Sequence, residues 1–206
     1  MEASVEAPRR LEGDKAQRIV AAMRSSVGMR GAAGSTFDVV AKEAGVSRGL
    51  LHYYFGSKER LLVEVVRQDC DARIGLLEEQ LAGADSVDAI VDVLVQSLEA
   101  FVADEPGNQA VIYEMISASR HSDEIQAELA ELYRRWRAHL ADVLRDKERQ
   151  GVVELQSEPE SVASILFALG DGMGLQLISD PTWEGRDEAL ALGMQTARRL
   201  LGGNGA

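Results

Sequence analysis

Thr36-Phe37-Asp38-Val39-Val40-Ala41-Lys42-Glu43-Ala44-Gly45-Val46-Ser47-Arg48-Gly49-Leu50-Leu51-His52-Tyr53-Tyr54-Phe55-Gly56-Ser57-Lys58-Glu59 is the stretch whose reading decides the fold. It spells two short helices hinged at one glycine. Ser35-Thr36 offers a hydroxyl cap, with Asp38 in the first turn and Val39-Val40-Ala41 behind it, and Gly45 stops the helix. Ser47 caps a second segment that reaches about Phe55, and Ser57 caps a third. Ala41 and Ala44 are small enough for close approach, Gly45 tolerates a left-handed turn, and Val46, Leu51 and Phe55 suit the wedge between the helices. A helix held this way projects its outer residues outward. Those are Arg48, Gly49, His52 and Tyr53, with Lys58 opening the next helix. Hydrogen-bond donors, a bare backbone position and aromatics form an inventory suited to a DNA major groove. Arg48 or His52 would meet base edges, and Tyr53, Lys58 and the Thr36 hydroxyl would meet phosphates.

Outward from this stretch, apolar residues recur three or four apart, the period of helices. A first segment runs from about Asp14 to Arg30, with Ile19, Val20, Met23 and Val27 on one face, before Gly28, Gly31 and Gly34 loosen its end. A long helix from about Lys58 to Leu81 is the candidate connector to the rest. Further helices are expected at about 86–103, 108–119, 123–149, up to 179 from a capping box at Ser157 to Glu160, and 184–201. The chain therefore reads as all-α, about nine helices in total, with no sheet. Residues 1–13 read as a disordered arm and 203–206 as a disordered tail.

The formal charge of −12 argues at first against nucleic acid, but it is unevenly spread. Residues 1–60 hold ten Lys/Arg against seven Asp/Glu, whereas the remainder holds 12 against 27. A mildly basic segment joined to a strongly acidic one is expected where only one end meets DNA. No apolar run is read as long enough to span a membrane and the N-terminus is not signal-like, so a cytoplasmic protein without a membrane partner is expected. Cys70 is the only cysteine, which excludes an intrachain disulfide. His121 and His139 lie 18 positions apart without a carboxylate spaced to complete a site, so neither metal nor cofactor is expected. No Ser/His/Asp order, Cys/His pair or phosphate-binding glycine loop with a lysine supports an enzyme.

Thr36, Ala41, Ala44-Gly45-Val46-Ser47, Gly49, Leu51, Tyr54-Phe55, Ser57-Lys58-Glu59 and Leu61 stand in register with the N-terminal signature of TetR/AcrR regulators. The chain resembles that family over about residues 14–65. The resemblance implies a three-helix helix-turn-helix DNA-binding domain at 14–58 and a larger helical ligand-binding and dimerisation domain at 59–202, with the last two helices forming the dimer. The DNA-binding set is then Thr36, Ser47, Arg48, Gly49, His52, Tyr53 and Lys58. His52 stands where many members carry a tyrosine, so that tyrosine's phosphate contact is not carried over.

Two modules related by a twofold axis read a palindromic double-stranded operator that one module cannot, so a homodimer is expected. Its interface is read on the apolar stripes Ile165, Leu169, Met173, Leu177 and Leu190, Met194, Ala197, Leu201. Gly170, Gly172 and Gly174 in the first of these helices imply close helix approach or a break. For an unidentified small-molecule effector the candidates are Phe101, Tyr113, Met115, Trp136, His139 and Phe167, large side chains that equally suit a core. Asp171 either holds a cationic ligand or caps a glycine-loosened turn. The expected activity is that of a ligand-released repressor; the alternative is a DNA-binding regulator without an inducer, controlled by a protein partner.

Overall fold

A computed structural model describes residues 13–103 and 108–202, and among them every regular element is helical. In chain order these are α1 (Asp14–Gly34), α2 (Phe37–Ala44), α3 (Arg48–Phe55), α4 (Lys58–Ala82) and α5 (Val87–Ala103). They continue with α6 (Asn108–Ser119), α7 (Asp123–Arg149), α8 (Pro159–Ser179) and α9 (Arg186–Leu200). Most of the expected arm, the tail and the Glu105-Pro106-Gly107 separator lie outside the described residues.

The chain divides into two compact units, and the division does not follow the contiguous cut expected at residue 58. The first unit takes the described residues up to Cys70 together with α6 and the start of α7 as far as Ala130; the second takes the rest. In the first unit α1 packs on both α2 and α6. Its buried side chains include Ile19, Val20 and Met23 of α1, Val40 and Ala41 of α2, Leu51 and Phe55 of α3, Leu61 and Val65 of α4, and Met115 of α6. This apolar burial is the principal force that orders the short helices, which are too brief to persist alone. Helix α1 is regular only to Arg30, where the sequence places its end. Gly31 breaks it with φ 69°, and the backbone beyond is held by Ser35 Oγ donating to Gly31 O at 2.8 Å and Lys58 Nζ donating to Ala32 O at 2.9 Å.

The second unit has its own core of Leu81, Ile90, Val91, Leu140, Leu144, Val162 and Leu166, closed by Ala197 and Leu201. Lys147, only 5% exposed, donates to Ala82 O at 3.0 Å and Ala84 O at 2.6 Å and so satisfies carbonyls that the end of α4 leaves open. Helix α8 runs unbroken through its three glycines. At Gly174 a Cβ would lie 3.3 Å from Leu98 Cδ1 and 3.6 Å from the Phe101 ring, so close approach of α5 explains that glycine. Nothing lies within 4 Å of a Cβ at Gly170 or Gly172, and packing explains neither.

Two expectations need correction. The capping box at Ser157 is not formed: Glu158 is the N-cap without a side-chain hydrogen bond, and Pro159 begins the helix with the fixed φ that suits a first turn. Helix α8 is also long and apolar enough to cross a membrane by length and composition, with mean hydropathy 1.5, contrary to the reading that no such run exists. Its length is interrupted by Asp171, and Val162, Ala163, Leu166 and Gly174 are buried against the rest of the unit.

Candidate nucleic-acid interface and sensing region

The turn between α2 and α3 determines where the candidate reading face points. Thr36 caps α2, its Oγ1 accepting from Val39 N at 3.4 Å. Gly45 ends α2 in the left-handed region at φ 66°, ψ 39°, and Val46 N donates back to Ala41 O at 3.0 Å. Ser47 is the N-cap of α3 as expected, though its hydroxyl makes no capping bond. Ser57 Oγ accepts from Arg60 N at 3.2 Å and caps α4. Leu51 and Phe55 are buried, which turns the opposite side of α3 outward.

The outward side carries the expected residues with different degrees of freedom. Gly49 is exposed, and Tyr53 is 61% exposed, edge-on to Tyr54 at 5.4 Å. Arg48 and His52 lie at the margin facing α2. Arg48 Nη1 pairs with Asp38 at 3.0 Å, both side chains being well exposed. His52 is exposed but meets the Phe37 ring edge-on at 4.8 Å, and its Nδ1 lies 3.3 Å from Gly56 O. That carbonyl can only accept, so Nδ1 is the donor. Lys58 is not placed as a phosphate ligand: its ammonium is used on the Ala32 carbonyl, which makes it a positioning residue for α1. The excess of basic residues counted in the sequence is likewise partly spent inside the unit. Arg24 pairs with Asp69, Arg30 with Glu43 at 2.7 Å and Arg60 with Glu124 at 2.8 Å. Asp38, the partner of Arg48, was legible in the sequence only as a favourable charge in a first turn.

The expected effector residues do not form one group. Tyr113 and Met115 belong to the first unit, where Met115 is buried in the core. Phe101, Trp136, His139, Phe167 and Asp171 belong to the second. There Phe101 already carries the Arg73 guanidinium 4.9 Å above its ring. Trp136 stacks on Phe167, centroids 6.0 Å apart and planes inclined 15°, and meets Tyr133 edge-on at 5.5 Å. Asp171 is exposed as a residue, yet burial of its carboxyl raises that group above the usual carboxylate range, with a hydrogen bond to Tyr133 acting the other way. His139 Nε2 is buried and has no hydrogen-bond partner among the described residues.

Residues 19–65 match the family described as bacterial regulatory proteins of the tetR family, and residues 90–202 match the BetI-type transcriptional repressor C-terminal family. The chain belongs to the TetR family. Among relatives it is 23% identical over 187 residues to the regulator UidR of Escherichia coli, covering 90% of each chain. It is 31% identical over 139 residues, 66% of each chain, to the regulator BetI of Rhizobium meliloti. Its fold is that of a transcriptional regulator from Saccharomonospora viridis solved in complex with choline, at TM-score 0.70 and 21% identity over 89% of this chain and 94% of that one.

The chain is thus a DNA-binding transcriptional regulator of the TetR family, not an enzyme. Of the apolar positions expected between two such regulators, Ile165 is 48% exposed, and Leu169, Met173, Leu177, Leu190 and Met194 are partly exposed. Ala197 and Leu201 must be withdrawn from that set, because both are buried in the second unit's own core and offer a partner no surface. Leu175 and Leu192, 50% and 63% exposed, are apolar surface that the stripes missed.

Proposed function

We propose that this TetR-family regulator is a repressor that binds a palindromic operator as a homodimer and leaves it when a small molecule binds the C-terminal region. The observation that carries the reading is the outward face of α3. Gly49 and Tyr53 are exposed to solvent, while Arg48 and His52 lie at the margin on contacts that DNA can replace. Bare backbone at Gly49 admits close approach of the duplex, Arg48 supplies a fork for guanine, and Tyr53, Thr36 and Ser47 supply hydroxyls for phosphates. Lys58 holds the end of α1 in place beneath this face.

The homodimer is formed through α8 and α9, on the exposed apolar side chains that include Ile165 and Leu192. Two recognition helices are then held about 34–36 Å apart to fit successive turns of one face of B-DNA. An effector releases the operator through its higher affinity for the conformation in which that spacing is lost. The BetI-type repressor match over 90–202 supports the sign of regulation, and the choline-bound relative supports a small effector rather than a protein one. Such a regulator works in the cytoplasm, where the DNA is.

DNase I footprinting over the intergenic DNA flanking the protein's own coding sequence tests the reading. A protected palindrome is expected; no protection at any protein concentration overturns it.

A further inference from the structure

We propose that Lys42, on the exposed edge of α2 beside the recognition helix, is a phosphate-binding cation of this protein, in the role that the sequence gives to Lys58. The proposal rests on the reading of α3 as the DNA-contacting helix and adds the residue that holds the module on the backbone. Two ion pairs fix which way the sides of α2 face. Phe37, Val40, Ala41 and Ala44 are buried. At about 100° per residue, Asp38 and Lys42 lie along one flank of that buried stripe and Glu43 along the other. Glu43 pairs with Arg30 of α1 at 2.7 Å, so its flank adjoins α1. Asp38 pairs with Arg48, the first residue of α3, at 3.0 Å, so the flank that carries Lys42 adjoins α3.

Lys42 is exposed, one turn beyond Asp38. That spacing, acid first and base four positions on, ordinarily favours a pair within the helix. Here Asp38 is turned to Arg48 instead, and Lys42 has no hydrogen-bond or ion-pair partner among the described residues. The neighbouring cations are engaged. Arg24 holds Asp69, Arg60 holds Glu124 and Arg67 holds Glu128, while the Lys58 ammonium donates to Ala32 O at 2.9 Å. Lys15 and Arg18 likewise have no partner among the described residues, but they open α1 and stand outside the α2–α3 pair. On that pair Lys42 is the unengaged cation.

In a helix-turn-helix the first helix crosses the sugar-phosphate backbone while the second lies in the groove. An ammonium on the edge of α2 nearest α3 therefore meets phosphates at the rim of that groove. Lysine suits the task, being a compact charge on a flexible four-carbon stem that can follow a phosphate without fixed geometry. Such a contact positions the module and carries no sequence information, and the reading of bases is left to Arg48 and its neighbours on α3.

Anisotropy titrations over about 50 to 200 mM sodium chloride test this. Wild type, Lys42→Gln, Lys42→Arg and Lys58→Met are each titrated with a duplex of the footprinted operator and with one of scrambled sequence, and melting temperatures are measured alongside. Each phosphate contact contributes about 0.9 to the slope of log affinity against log salt. Lys42→Gln is therefore expected to lower the slope by about 0.9 per subunit, about 1.8 for a homodimer, with the same fold loss of affinity on both duplexes and little change in Tm. Lys42→Arg restores the slope. Lys58→Met keeps the slope and lowers Tm, because the Ala32 carbonyl loses its donor. An unchanged slope in Lys42→Gln, or a slope lowered by Lys58→Met, overturns the proposal. A loss in Lys42→Gln confined to the operator duplex overturns it as well, since that marks base readout. The scrambled duplex decides the role of Lys42 even where wild type shows no preference for the operator, a result that removes only the operator reading.

Discussion

Replacing Gly45 with alanine isolates the turn that aims the recognition helix. Gly45 sits at φ 66°, ψ 39°, a conformation in which a Cβ crowds the following carbonyl, while no atom lies within 4 Å of where that Cβ would be placed. The penalty is then purely conformational, about 1–2 kcal/mol for a residue with a Cβ in the left-handed region. For a chain of this size it lowers Tm by about 2–8 °C. Because the backbone bond from Val46 N to Ala41 O does not involve the side chain, α3 keeps its aim. Operator affinity measured well below Tm is therefore unchanged. Gly45→Asn loses less than Gly45→Ala, since asparagine tolerates this conformation better. Thermal melts followed by circular dichroism at 222 nm give the ranking. An unchanged Tm in Gly45→Ala, or a greater loss in Gly45→Asn, refutes the argument from backbone conformation.

Other substitutions probe separate links. Asp38→Asn frees Arg48 from an exposed ion pair worth about 0.5–1 kcal/mol, so operator affinity in an anisotropy titration rises about two- to fivefold. Lys147→Met leaves the Ala82 and Ala84 carbonyls without their charged donor and lowers stability by about 1.5–3 kcal/mol in urea unfolding. Burial raises the Asp171 carboxyl, so its ionised form disfavours the folded state once the pH exceeds its ordinary value of about 3.9. Asp171→Asn accordingly raises Tm at neutral pH, and the gain fades as the pH falls toward that value; a gain independent of pH contradicts the assignment.

Local rules explain why so much of the N-terminal region could be read from sequence. Thr36, Gly45 and Ser57 act through bonds to residues within four positions, so their roles are visible in a string of letters. Ser157 shows where such rules fail, because the proline two positions on decides the start of α8 by its fixed φ. What the sequence did not disclose depends on distant partners. Lys58 is drawn to the Ala32 carbonyl 26 positions away, Arg48 to Asp38, and α6 packs on α1 across the chain. The apolar stripe of α9 carried no sign of which side chains face inward; packing on Val162 and Leu166 in the same core assigns Ala197 and Leu201 to the interior and leaves Leu192 outside. Likewise, the sequence holds Trp136, Phe167 and Asp171 apart as separate candidates, and only side-chain contacts between α7 and α8 bring Trp136 onto Phe167 and Tyr133 to Asp171.

The central claim is that the outward face of α3 reads DNA, and one titration tests it most directly. Wild type, Arg48→Ala and Tyr53→Ala are titrated against the footprinted operator at one fixed salt concentration, with melting temperatures measured alongside. Arg48→Ala is expected to cost about 1–3 kcal/mol, roughly five- to 150-fold in affinity, with little change in stability because the pair it breaks is exposed. Tyr53→Ala weakens binding as well. Unchanged operator affinity in both variants, in proteins that melt like the wild type, contradicts the account.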